Sequence, residues 1–348
     1  MSEAANSRRD FLQTTLAGAA VLGAASAAQG WRQPDQGGNQ GIPTRPLGKT
    51  GVQVSILGLG GHSIGTVKDE QEAIKIIHAA VDEGITFFDN AWEYHQGRSE
   101  ILMGKGLAGG RRDKVFLMTK NCGRDAQESR KCLEESLRRL QTDHLDLWMF
   151  HEINYDNDPD WVVERGALAE ALKAQKAGKV RFLGFTGHKS PHIHLKMLEK
   201  HPWDAVLMPV NVCDPHYRSF IREVLPKANE RNTGVLGMKS LCGGQDQKGR
   251  FVTAKVCTAQ EARRFSLSQP IACLIAGIDS MEILRQDVAI ARGFTPMNAH
   301  EQEQLLARVK PYATDGRHER FKSTQLFDSE HHRKQHGLTD ADVKGTPT

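Results

Sequence analysis

Cysteine is scarce in this chain and poorly spaced for chemistry. Six cysteines (Cys122, Cys132, Cys213, Cys242, Cys257, Cys273) are scattered through 348 residues with no C-x-x-C pair. They support neither a zinc site nor a disulfide framework, and most read as small core residues. An excess of one charge is also missing. With 46 basic and 42 acidic residues the net charge is +4, and no basic stripe is interleaved with aromatics. Nucleic acid is therefore not an expected partner. A G-x-G-x-x-G turn is absent as well, because Gly58-Leu59-Gly60-Gly61 has the wrong spacing, which argues against an open dinucleotide-binding sheet.

No apolar run is long enough for a comfortable membrane span. The one candidate, about Thr14 to Ala28, is short and rich in glycine and alanine. It follows Ser7-Arg8-Arg9-Asp10-Phe11-Leu12 and contains Ala25-Ser26-Ala27, a small-residue cleavage site. A twin arginine before a mildly hydrophobic run has the form of a Tat export signal. The expectation is a signal peptide over 1–28, the Tat machinery as a partner, and an exported or periplasmic protein without stable membrane insertion. Export after folding suits an enzyme that acquires its cofactor in the cytoplasm. Residues 29–44 read as a polar, glycine-rich linker.

From about residue 45 strands and helices alternate. Short apolar runs mark strands near 54–60, 86–89, 114–120, 145–151, 180–186, 205–211, 234–239 and 271–277. Helical periodicity fills the gaps near 69–82, 99–108, 126–140, 162–177, 191–200, 217–230, 258–268 and 280–292. Continuous apolar strands suit a parallel sheet covered on both faces, and eight units predict a closed (β/α)₈ barrel of the TIM type over 45–313. A further helix, about Ala299 to Ala313, ends that domain. The tail, 314–348, could cap the barrel or cover its mouth. Its histidines (His331, His332, His336) read as part of a solvated polar segment, and no metal site is expected.

Three strand ends carry chemistry. The run T-F-F-D ends on Asp89, K-V-F-L-M-T-K on Lys120, and L-D-L-W-M-F-H on His151. The separations, 120 − 89 = 31 and 151 − 120 = 31, are one strand–helix repeat each. Tyr94 lies on the loop after Asp89. Barrel enzymes place their working residues on this rim. A phenol with a pKa of about 10 is a poor donor unless its conjugate base is stabilised. An ammonium in reach lowers it, a carboxylate fixes the ammonium, and a histidine holds a carbonyl oxygen nearby. The set suits proton delivery to a carbonyl while a nicotinamide supplies hydride. Trp92 could wall the pocket or simply pack.

The segments R-P-L-G-K-T-G-V-Q-V-S-I-L-G-L-G-G, F-D-N-A-W-E-Y-H-Q-G-R-S-E and D-L-W-M-F-H, with the strand-end Lys120, resemble the aldo-keto reductase family. The resemblance implies a catalytic tetrad of Asp89, Tyr94, Lys120 and His151, and NADP or NAD as cofactor. It also implies NAD(P)H-dependent reduction of a small aldehyde or ketone to the alcohol, and the exported compartment suggests a sugar-like one. Cofactor contacts implied by position are Thr186, His188, Asn211, Met238, Lys239, Ser240, Ser280, Arg285, Gln286 and Asp287. Several depart from the family pattern. Gly187 stands where a carboxamide-binding asparagine is usual, Met238 replaces an aromatic, Asp287 replaces an asparagine, and Asp279 adds a negative charge. A non-catalytic nucleotide- or ligand-binding barrel is the alternative these departures motivate.

Overall fold

The computed structural model describes residues 41–243 and 249–344; the expected signal peptide and residues 29–40 of the expected linker lie outside the described residues. Two short strands, Thr44–Pro46 (β1) and Gln53–Ser55 (β2), pair antiparallel. Eight parallel strands then close a barrel: Leu57–Gly60 (β3), Phe87–Asp89 (β4), Phe116–Asn121 (β5), Leu145–Phe150 (β6), Val180–Thr186 (β7), Ala205–Pro209 (β8), Gly234–Met238 (β9) and Cys273–Gly277 (β10). The (β/α)₈ expectation holds, with strand ends displaced by a few residues.

The first barrel strand differs from the expected single run over 54–60. The chain breaks at Ile56, where Ser55 exchanges two 2.9 Å hydrogen bonds with Thr86. What precedes the break becomes a hairpin instead. Its Leu47, Val52 and Val54 are fully buried against Phe87, Phe116, Met118, Leu147, Met149 and Leu236. The hairpin thus plugs one end of the barrel, at roughly 1.5–3 kcal/mol for each large apolar side chain removed from water.

Alternation along the strands decides what faces inward. Phe87, Phe116, Met118, Leu147 and Met149 fill the interior, whereas Phe88, Leu117, Trp148 and Phe150 pack outward under the helices. Asp89, Lys120 and His151 continue the inward set. Asp89 lies across from Met118, and Lys120 from Met149. Each therefore stands two residues short of the next site residue, the stagger of tilted barrel strands. An even stagger keeps all three on one face.

The outer helices follow their apolar faces. Glu70–Asp82 is capped by Asp69, which accepts from the amides of Gln71 and Glu72. It buries Ala73, Ile76, Ile77 and Ala80, with Ile74 and Val81 half-buried. The single helix expected over 162–177 is two, Asp158–Glu164 and Ala167–Lys176, because Gly166 sits at φ 85° and turns the chain between them.

The tail is where the sequence reading needs correction. It is not a solvated polar segment, since Glu319, Phe321, Lys322, Asp328 and His332 are all buried. The Lys322 ammonium donates to Asp214 at 2.7 Å, to Glu319 at 3.0 Å and to the Tyr217 carbonyl at 2.8 Å. Burial, opposed by Lys322 and helped by Asp214, raises the Glu319 carboxyl to about 7. An acid raised on folding stabilises the native state most below its unfolded value, about 4.3, and loses that contribution as pH rises through the folded value. Urea unfolding is expected to show the stability of the wild type, relative to Glu319→Gln, falling between those two pH values. A pH-independent difference would reject the assignment.

Candidate active site

Asp89 ends β4, and the loop after it returns Tyr94 over the strand end. The loop is tight. His95 and Gln96 take φ 51° and 57°, and the His95 ring lies so close to Gly65 that a Cβ there would collide with it. His95 Nε2 lies 2.9 Å from the His62 carbonyl oxygen, which anchors the loop to the segment after β3.

Lys120 projects inward from β5 and is 1% exposed. Its ammonium donates to Asp89 Oδ1 at 2.5 Å, to the Asn90 carbonyl at 2.7 Å and to Tyr94 Oη at 2.9 Å. All three donors of the ammonium are used. Burial holds the Asp89 carboxyl above its usual range despite Lys120. Burial, then the charges of Asp89, Glu93 and Glu152, raises the Tyr94 phenol well above its usual value. The expected lowering by Lys120 is outweighed here by burial and by the surrounding acidic groups. A phenol that keeps its proton is a donor.

His151 follows β6, and its ring meets Tyr94 edge-on at 5.5 Å. Its Nδ1 lies 2.8 Å from Glu93 Oε1. Burial lowers the His151 pKa. Burial alone would raise the Glu93 carboxyl, but His151, with His332 and Cys122 behind it, brings it well below the usual range. The Glu93 carboxylate can only accept, so His151 donates to it from Nδ1. Cys122 and His332 complete a buried cluster at this point.

The four residues line a cavity of about 600 Å³ that runs on past the ends of β9 and β10. Tail residues Leu326, Phe327 and Ser329 also line it, so the tail covers the barrel mouth. Ser329 donates its amide to Glu152 at 2.8 Å. Burial, reinforced by Glu93 and Asp328, raises that Glu152 carboxyl well above the usual range.

Comparison with known proteins decides the kinship. The profile of the Aldo/keto reductase family matches residues 56–301. This chain belongs to that family. An uncharacterized oxidoreductase of Bacillus subtilis is 34% identical over 224 residues, 57% of this chain and 66% of that protein. The L-galactose dehydrogenase of Arabidopsis thaliana is 32% identical over 217 residues, 58% of this chain and 66% of the relative. The match thus spans just under two thirds of both curated relatives. Among solved structures, the holo form of an aldo-keto reductase from Bacillus halodurans superposes with a TM-score of 0.65 at 24% identity, over 80% of this chain and 99% of that one.

Within this aldo/keto reductase, Thr186, His188, Met238, Lys239 and Ser240, among the cofactor-side candidates, line the cavity. Burial lowers His188 to about 4, so its ring is neutral. Asn211, Ser280, Arg285, Gln286 and Asp287 are not brought to it. Asn211 turns away, donating to Glu319 at 2.9 Å while its Oδ1 accepts the amides of Cys213 and Asp214. Ser280 caps the helix Met281–Arg292, and Arg285 and Gln286 are exposed. Asp287 is buried in a bidentate pair with Arg263, at 2.7 Å for both bonds, and Arg263 also donates to Ser240 at 2.7 Å. Trp92 packs, donating to Glu135 at 2.8 Å.

Sequence reasoning missed Glu93, Cys122, Glu152 and Arg263, and left the place of the tail open. Glu93 stood inside the recognised D-N-A-W-E-Y segment, but its partners are 29 and 58 positions away (122 − 93 and 151 − 93). Arg263 lies on an amphipathic helix where an arginine usually means solvent.

Removing the ammonium leaves Asp89 buried and unpaired. Lys120→Met is expected to lower unfolding free energy by about 3–5 kcal/mol. Adding Asp89→Asn should recover most of that loss in urea titrations. A double variant no more stable than the single one would show that the pair is not what the rim depends on.

Proposed function

We propose that this protein is an NAD(P)H-dependent reductase of a polar, sugar-like aldehyde or ketone. The observation that carries the reading is the buried chain Asp89–Lys120–Tyr94 at the wall of a cavity with His151 beside it. The donor set fits a dinucleotide. Two cations, Lys239 and Arg263, line the part of the cavity by β9 and β10, the region where (β/α)₈ barrels frequently hold phosphate. Thr186, His188 and Met238 would hold the nicotinamide end, and Lys239, Ser240 and Arg263 the phosphates. A bound nicotinamide supplies the hydride that no side chain can.

The chain supplies the proton and the geometry. Tyr94 donates to the carbonyl oxygen. Lys120 stabilises the phenolate left behind, and Asp89 fixes Lys120. His151 orients the oxygen beside the phenol. The tail closes the mouth and keeps bulk water from the transfer. A polyhydroxylated substrate suits a lining that includes His62, Glu152, His188, Lys239 and Ser329, and the resemblance to an L-galactose dehydrogenase points the same way. The twin-arginine leader motivates the further proposal of Tat-dependent export of protein already folded with its cofactor.

Tyr94→Phe is expected to lower carbonyl-dependent oxidation of NADPH or NADH by about 10²–10⁴-fold. Nucleotide binding, read by tryptophan fluorescence, should persist in that variant. Retained turnover would remove Tyr94 from its role. Nucleotide binding by the wild type without turnover of any aldehyde or ketone offered would favour a non-catalytic, nucleotide-sensing barrel. Parallel NADPH and NADH titrations assign the cofactor. Weakening of both by Arg263→Met is expected if Arg263 meets a shared pyrophosphate, and of NADPH alone if it meets the 2′-phosphate.

A further inference from the structure

Behind the tetrad, four side chains from four segments converge: Glu93 from the loop after β4, Cys122 after β5, His151 after β6 and His332 from the tail. One ligand atom from each lies within 4.8 Å of all the others. Cys122 and His332 are fully buried, and Glu93 and His151 nearly so. The family profile ends at residue 301, before the tail that supplies His332.

The decisive atom is His332 Nε2. It is buried and has no hydrogen-bond partner among the described residues. Two carboxyl oxygens lie near it, Glu93 Oε2 at 3.6 Å and Glu152 Oε2 at 3.9 Å. The tautomer follows from its other nitrogen. The Gln335 amide group donates to the Cys122 carbonyl at 3.1 Å and to Glu128 Oε2 at 2.7 Å, so its oxygen faces His332 Nδ1 at 3.0 Å. Nδ1 therefore carries the hydrogen, and Nε2 presents a lone pair. A buried lone pair aimed at a carboxylate is unfavourable unless a cation stands between them. A second nitrogen fixed by an outer hydrogen bond is how metal-binding histidines are usually held.

We infer that Glu93, Cys122, His151 Nδ1 and His332 Nε2 form a binding site for one divalent transition-metal ion, zinc above all. Two imidazoles, one thiolate and one carboxylate are a borderline-soft set that suits zinc and not magnesium or calcium. Bonds of about 2.0–2.3 Å imply tetrahedral edges of roughly 3.3–3.7 Å. The Cys122–His151 separation of 3.9 Å and the His332–Glu93 separation of 3.6 Å lie close to such edges. The two shorter contacts, Glu93 to Cys122 at 2.5 Å and to His151 at 2.8 Å, are hydrogen bonds that open when the metal replaces their protons. The balance is simple. The Cys122 thiol loses its proton to solvent, and the His151 proton moves from Nδ1 to Nε2. Carboxylate and thiolate together neutralise the dication.

This has two consequences. The ion ties the tail to three rim segments. It also converts His151 from a ring with its hydrogen turned towards Glu93 into one with an Nε2 hydrogen free to meet a substrate oxygen. The second consequence rests on the reductase reading; the metal site does not.

The test uses the full chain, stripped with a chelator and reloaded with Zn²⁺ or Co²⁺. One equivalent of zinc is expected to survive gel filtration, by elemental analysis. The cobalt form should show tetrahedral visible bands and a thiolate charge-transfer band. Both retention and bands should be lost in His332→Gln, and the charge-transfer band in Cys122→Ser. Both should survive in His192→Gln, which alters an exposed histidine elsewhere. Wild type that melts cooperatively yet retains no zinc overturns the proposal, as does a cobalt form without thiolate charge transfer. Equal retention by wild type and by a cooperatively melting His332→Gln also overturns it. None of these readings depends on carbonyl turnover, so failure here leaves the reductase reading to its own assay.

Discussion

An ammonium ion with almost no exposure to water must be paid for by its neighbours, and in this barrel Lys120 sets the terms for everything around it. Desolvating a charge costs several kcal/mol unless partners are fixed in place. Lys120 finds three: a carboxylate, a backbone carbonyl and a phenol. Each comes from the segment that ends β4 and turns over it. The strand pairing that places β4 beside β5 and the loop geometry at His95 and Gln96 are thus requirements of one buried charge. The same arrangement leaves Tyr94 neutral and close to the ammonium, the condition for giving up a proton and having the resulting anion stabilised.

The tail extends this logic to the open end of the barrel. Its buried acids and Lys322 each meet an opposite charge or a matching hydrogen-bond group. Lys322 sits between Asp214 and Glu319, and Asp328 accepts from Asn154, Tyr155 and Lys189. Apolar contacts complete the seating, with the His336 ring stacked between Tyr155 and Trp161 at 3.7 and 4.5 Å. A roof built this way is specific, since shifting it would strand several charges at once. It also brings His332 against the back of His151.

Within the chain, regularity is what made residues legible. Asp89, Lys120 and His151 were readable because they end apolar strands at equal spacing, and spacing of that kind survives in one dimension. Tyr94 followed from its distance to Asp89. Arg263 and Asp287 were not readable, because a buried ion pair between two helices leaves no periodic trace in either. Asn211 looked like a rim donor by position, but the tail competes for it through Glu319. The break at Ile56 was hidden because an apolar stretch that crosses from hairpin to barrel looks like one strand.

By itself the sequence determined the barrel, its eight-fold alternation and the rim that carries Asp89, Lys120 and His151, because strand and helix periodicities are local properties of the chain. Only the tertiary structure decided where the tail lies, which cofactor-side candidates face the cavity, and that Glu93, Cys122, His151 and His332 share one buried point. Those outcomes depend on pairing buried polar groups across segments as much as 239 residues apart (332 − 93). No short-range pattern encodes which charge meets which once the chain has closed on itself.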